Sequence, residues 1–390
     1  MGRLSILFIL ATTLFTISCS KKIVDSTDQS IQVLDSIAID VPVVSLKSVE
    51  IDNHFYIYIA GEGNDLISYE VKNDKLYHLE TYAINSVFGG VRAINKIILN
   101  NKPYLIVGNK ADNALELFAV LPNGKISFVS RFNNDDSVFL KEIITTEIIK
   151  IDGDYFVYVG GLDTGISGFK ITENGFEFIN SIADTELTHL DGIIGMRSLN
   201  IQEVNYLYVG GFFDDGISTF KIKSNGELVN ISNIHNSKDL FLNGAFAVDA
   251  IPFKNRSYVL VGHRHKAHYD SYREGNTEHY NGDGINVFDV NTDGNLKLYK
   301  TISSSDAIKL KGNTRIEHFF VEDKALIAVA SREDTGVQFL TIDPNGQIDI
   351  GSYIDLGFEV YNGMDILNYN GNRYISVAGY DKLQLKLLKF

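Results

Sequence analysis

The sequence predicts an all-β chain folded as a single seven-bladed β-propeller. Each blade has four antiparallel strands, and the ring is closed by the N-terminal strand pairing with the C-terminal blade. Three observations carry this. A thirteen-residue frame, clearest at residues 147–159 (EIIKIDGDYFVYV), occurs seven times. Its copies end at Ile59, Val107, Val159, Val209, Val261, Val329 and Val377, a period of about 50 residues with one interval stretched by an insertion. Asn-Gly or Asp-Gly pairs recur at matching places, Asn123-Gly124, Asn174-Gly175, Asn225-Gly226, Asp293-Gly294 and Asn345-Gly346.

Each frame reads as strand A, a tight turn and strand B: its third and fifth residues are apolar, a polar triplet follows, and its tenth and last residues are large or aliphatic. Strand C follows after a short loop and is clearest as GISGFKI (165–171) and GISTFKI (216–222). The Asn-Gly pairs come next, because both central positions of a tight hairpin turn need positive φ. Strand D then carries apolar residues at relative positions 0, 2 and 6, as in Phe176, Phe178 and Ile182. The seventh copy ends after strand C, at Phe390. Its missing strand D is supplied by Ile31, Val33 and Ile37, which fit the same pattern. That closure hides two sheet edges that would otherwise invite aggregation.

The 390 residues carry a net charge of −14, five prolines and no tryptophan. One repeat pattern covers residues 31–390, so one domain accounts for it, and a chain of this size buries enough surface to need no disulfide staples. An acidic chain without a basic stripe does not neutralise phosphates, so nucleic acid is excluded as a partner.

Arg3 and the apolar run 4–17 are too short to span a bilayer as a helix and read as a secretory signal. The run ends in Thr16-Ile17-Ser18-Cys19, and Cys19 is the sole cysteine. This resembles a bacterial lipobox, with Thr16 where leucine is commonest. The resemblance implies a lipoprotein signal peptide over 1–18, a lipidated Cys19, a polar tether over 19–30 and attachment to a membrane through the lipid. The expected location is the cell envelope, at the outer membrane if the host is Gram-negative. The alternative is a plain secreted protein with an incidental thiol.

The pattern YVGG-(x)-DxGIS-x-F-x-I-x-x-NG at 158–175 and 208–226 resembles the seven-bladed lactonase-like propellers, which include bacterial 6-phosphogluconolactonases and muconate-lactonising enzymes. The likeness runs over about residues 30–390. It lies in turns and core positions, so it implies the fold and transfers no catalytic residue to a numbered position.

Strand A lines the channel of a propeller, so the first frame position is where chemistry is sought. It holds Lys47, Asn95, Glu147, Arg197, Asp249, Glu317 and Asp365: two cations and four anions, a formal charge of −2. With Arg92 and Arg315 nearby, such a ring either binds a polar ligand at the channel mouth or neutralises itself. The second candidate is the long loop 263–284, with His263, His265, His268, His279, Asp270, Glu274 and Glu278. It offers imidazoles to a metal, or an acid and base to a carbohydrate lyase, or is a solvated flap; the spacing matches no zinc signature. The acidic loops at Asp112-Asn113, Asp163-Thr164, Asp214-Asp215, Asp283 and Asp334-Thr335 read as turn chemistry rather than calcium sites. No cofactor is expected.

Two kinds of function follow from these residues. One is a cell-envelope binding protein holding a small polar or sugar-like ligand, or a protein partner, at the channel mouth. The other is an enzyme: a lactone hydrolase using Glu147, Arg197 and His263 as acid, base and oxyanion stabiliser, or a lyase using the histidine-rich loop.

Overall fold

The computed structural model describes residues 31–63, 65–84, 90–240, 242–264 and 283–390. Among the described residues there are seven four-stranded antiparallel sheets, and every described strand lies in one of them. The innermost A strands of blades one to seven are Val43–Ile51, Val91–Leu99, Ile143–Ile151, Ile193–Ile201, Ala245–Pro252, Asn313–Val321 and Met364–Tyr369. Blade seven takes its outer strand from the N-terminus: Gln32–Ala38 pairs antiparallel with Gln384–Lys389, from Gln32 opposite Lys389 to Ala38 opposite Gln384.

The turns form because the sequence supplies residues that tolerate positive φ where two-residue connections demand it. Asp52 and Asn53 stand at φ 48° and 61°, Asn100 and Asn101 at 48° and 63°. The core lies between blades. Among the described residues seven apolar clusters each join two neighbouring blades, such as Tyr58, Leu66 and Ile94 with Leu105 and Phe118 between blades one and two.

The repeated motifs are explained by this packing. The aromatic at frame position ten lies under the Asn-Gly turn of the next blade: a Cβ on Gly124, Gly226 or Gly294 would stand 2.2–2.4 Å from the ring of Tyr56, Phe156 or Tyr206. Two residues along, Tyr58, Tyr158 and Tyr208 donate their hydroxyls to the carbonyls of those same glycines at 2.8, 2.9 and 3.1 Å. In strand C, Ser167 and Ser218 accept the backbone N–H of Phe139 and His189 at 2.7 Å, fixing the connection that leads into strand A. The GIS motif is therefore architectural, as is the acidic turn chemistry. Asp214 accepts the N–H of Asp191 at 2.7 Å, Asp215 that of Gly244 at 2.7 Å and Asp334 that of Lys311 at 2.7 Å.

Two faces result. The loop face carries the D–A and B–C connections; the turn face carries the A–B and C–D turns.

Candidate functional site

Six of the seven first-frame residues lie near the middle of the A strands, Lys47 being the fifth residue of Val43–Ile51 and Glu147 the fifth of Ile143–Ile151, while Asp365 is the second residue of the shorter Met364–Tyr369. An outward-pointing set of charges is unaffordable at that depth, so they meet one another. Lys47 Nζ lies 3.0 Å from Asp365 Oδ1 and 3.9 Å from Glu317 Oε1. Arg197 reaches Asp249 at 3.1 Å, Glu317 at 3.2 Å and Glu147 at 3.8 Å. Glu317 thus connects blade one to blade four across the axis. Asn95 donates to the carbonyl of Thr146 at 3.0 Å.

Three further side chains, which the first-position rule does not select, complete the network. Arg315 pairs with Glu317 and donates to Asn362 at 3.2 Å. Lys96 lies 3.5 Å from Asp365, and His318 Nδ1 2.7 Å from Asp249 Oδ2. The formal charge of −2 therefore becomes zero, with Lys47, Lys96, Arg197 and Arg315 facing Glu147, Asp249, Glu317 and Asp365 before His318 is protonated.

Burial alone would raise Glu317, but Arg315, Arg197 and Lys47 overcome it and hold the carboxyl well below the ordinary range. Asp365 is likewise held down, the attraction of Lys47 and Lys96 exceeding the cost of burial. His318 moves the other way: burial disfavours its charge, yet the Asp249 carboxylate raises its pKa above 6.5.

The acids also pin successive blades together. Asp365 accepts the N–H of Ser48 at 2.8 Å, and Glu147 the N–H and hydroxyl of Ser198 at 2.9 and 2.7 Å. Lys47, Glu147, Arg197 and Arg315 of the network, with Asn95 and Asn362, line a narrow polar cavity with room on the scale of one ordered water. This is the chemistry of a clasp: among the described residues no ring carboxylate is left without a cation or a backbone donor.

Toward the loop face the channel is shut by an apolar cluster. Val44, Ile144, Ile194 and Phe246 come from the A strands of blades one, three, four and five, and are joined by Phe212 and Tyr361, all buried. Phe246 packs edge-on against Phe212 at 5.8 Å and Tyr361 at 5.6 Å. The first four occupy one frame position, three residues before the ring. An apolar residue there in four of seven frames is the signal by which the plug was readable.

The rim around it is half-buried and mixed. Arg92 pairs with Glu62 at 2.8 Å, and the Tyr380 hydroxyl donates to Glu62 at 3.1 Å. Arg332 lies over the rings of Tyr380 at 5.1 Å and Tyr361 at 5.9 Å while pairing with Glu359. Leu162 and Phe213 pack beside them. Arg92, sought near the ring, therefore belongs to this rim.

The proposed catalytic trio is only partly gathered. Glu147 and Arg197 are neighbours, but His263 ends the B strand of blade five opposite Ala245, whereas Leu260 is the residue opposite Asp249. Three residues of strand put His263 about 10 Å along from the ring level. His265, His268, Asp270, Glu274, Glu278 and His279 lie outside the described residues, as does Cys19. Among the described residues there is no group of three or more His, Cys, Asp or Glu placed to hold a metal ion, and no helix long and apolar enough to cross a membrane.

No protein-family model and no curated protein sequence matches the chain. Solved structures do match. The Pseudomonas aeruginosa periplasmic gluconolactonase PpgL superposes with a TM-score of 0.59 at 13% identity, over 83% of this chain and 87% of that one. A protein from Lactobacillus plantarum gives 0.56 at 12% identity, over 81% and 86%. Chaetomium thermophilum Raptor gives 0.58 at 10% identity over 92% of this chain, which spans 28% of Raptor's length. An architecture shared by a gluconolactonase and by part of Raptor does not choose a function. What these likenesses establish is the seven-bladed propeller, similar to that of gluconolactonase-type proteins.

Proposed function

We propose that the protein is a binding protein of the cell envelope, held to a membrane through lipidated Cys19, which seats a small polar or sugar-like ligand, or a loop of a protein partner, on the rim of the closed channel. One observation carries this reading: the loop face presents tyrosine, phenylalanine and arginine side chains from several blades above a channel whose charges satisfy one another. Half-buried aromatic side chains beside guanidinium groups favour hydroxyl-bearing or planar ligands. The test is a thermal-shift screen of the full chain against sugar acids, oligosaccharides, lactones and divalent ions, repeated with Tyr380→Ala and Phe213→Ala. A ligand that raises the melting temperature of the native chain and not of the variants supports the rim. A ligand whose shift survives both substitutions sinks it.

Lactone hydrolysis is the second reading, favoured by the likeness to PpgL. It requires turnover of a gluconolactone above the spontaneous rate, abolished by Glu147→Gln or His263→Ala. The separation of His263 from the ring weighs against those residues acting together.

A further inference from the structure

On the turn face, at the seam between blades seven and one, lies a solvent-open groove of about 620 Å³. Its origin is a departure from the repeat. The C–D connection is two residues long in blade one, where Lys72 pairs with Lys75, and in blade three, where Thr172 pairs with Gly175. The longer Asn-Gly loops of blades two, four and five reach under a tyrosine of the preceding blade. Short turns leave a gap at their seam.

The two gaps are treated differently. Between blades two and three, Asn100 donates to Glu173 at 2.6 Å and Lys102 pairs with the same carboxylate at 3.8 Å, so side chains close the gap. Between blades seven and one the corresponding residues are Asn370, Asn372 and Asn73, and no acid takes the place of Glu173. The side-chain amides of Asn53, Asn73 and Asn370 make no hydrogen bond among the described residues, although all three line the groove. Lys389 sits over the Tyr374 ring at 5.6 Å without an ion-pair partner among the described residues, while Lys72 is already paired with Glu70 at 2.7 Å. Two hydroxyls also cross this seam, Tyr369 donating to the Asn53 carbonyl and Tyr374 to Asp74, the one carboxylate lining the groove, at 2.8 Å, yet the space between them stays open.

Left-handed turn positions explain why Asn53, Asn73 and Asn370 are asparagines, at φ 61°, 50° and 48°. They do not explain why three such turns, with an ammonium, line the open groove that remains beside those two hydroxyl contacts. A carboxamide donates and accepts at once, which matches a hydroxyl, and a lone ammonium matches a carboxylate. We propose that this groove is a second binding site, distinct from the rim, for a saccharide bearing a carboxylate.

The test is isothermal titration of the full chain with glucuronic acid, glucose and acetate. Glucuronic acid is expected to bind at least tenfold more tightly than either. Asn372→Ala and Lys389→Glu, both outside the left-handed turn positions, are each expected to weaken it at least tenfold with little change in melting temperature. Phe213→Ala at the rim is expected to leave it unchanged, which separates this site from the function proposed above. Glucuronic acid that fails to bind, that binds no better than acetate, or that is indifferent to both groove substitutions overturns the assignment.

Discussion

Glu317 is the residue on which the channel depends, because it alone contacts Lys47, Arg197 and Arg315, from blades one, four and six. Removing one partner from a buried network leaves the others uncompensated, at a cost of about 3–5 kcal/mol. Glu317→Gln is therefore expected to lower the denaturant midpoint substantially, and a midpoint within error of the native chain would show that the network contributes nothing net. The signs of the pH dependence follow from the shifts. Glu317 and Asp365 have depressed pKa values, so their contribution is present above the ordinary carboxylate values of 4.5 and 3.8 and is lost as pH falls through the lower native ones. His318 is raised, so its contribution is full below 6.5 and disappears as pH rises through the higher native value. Thermal stability measured across pH should thus fall on the acid side and decline again above pH 6.5. His318→Gln should flatten only the second limb.

At the scale of the element, the Asn-Gly turns and the N-terminal strand make separable contributions. Gly226 stands at φ 85°, with Phe156 and Ile179 where a methyl group would go. Gly226→Ala combines backbone strain with overpacking and is expected to cost about 1–3 kcal/mol. Tyr158→Phe removes only the hydroxyl that bonds Gly226 and should cost about 0.5–1.5 kcal/mol. Equal effects would mean that the hydrogen bond, and not the turn geometry, sets the seam. Deleting residues 30–40 exposes the edge of Gln384–Lys389 and should lower the melting temperature sharply; an unchanged value contradicts the closure.

These elements show what was legible in the sequence and why. Period, strands and closure were readable because turns and inter-blade cores demand the same residue types seven times. The ring was readable because one frame position always faces the channel. Self-neutralisation was one of its two readings, with Arg315 named nearby, but the full partner set was not readable, since Lys96 and His318 come from the position after the frame's first and partners such as Lys47 and Asp365 are 318 residues apart. Nor was the groove at the blade-seven seam, which exists because the blade-one turn is as short as that of blade three but has Asn73 where blade three has Glu173.

For the whole molecule, the direction of the first strand bears on how the propeller would present itself if it is anchored as proposed. Gln32 pairs with Lys389 on the turn face and Ala38 with Gln384 toward the loop face, so the chain enters the disc from the turn side. With Cys19 lipidated, residues 19–30 reach at most about 40 Å when fully extended, against a blade about 26 Å deep. Turning the loop face to the membrane would use most of that reach merely to round the edge of the disc. The rim is therefore expected to face away from the bilayer. Single cysteines at Lys141, exposed on the loop face, and Lys125, exposed on the turn face, supply the measurement. If the proposed anchor holds, lipid blocks the Cys19 thiol, and in the membrane fraction Lys141→Cys should react faster with a bulky thiol reagent than Lys125→Cys. Adding Cys19→Ser should release both variants from the membrane fraction and make their rates alike. Equal rates before release would place the rim and the turn-face groove on the same footing toward the membrane. Protein that stays in the membrane fraction after Cys19→Ser would remove the anchor on which the orientation depends.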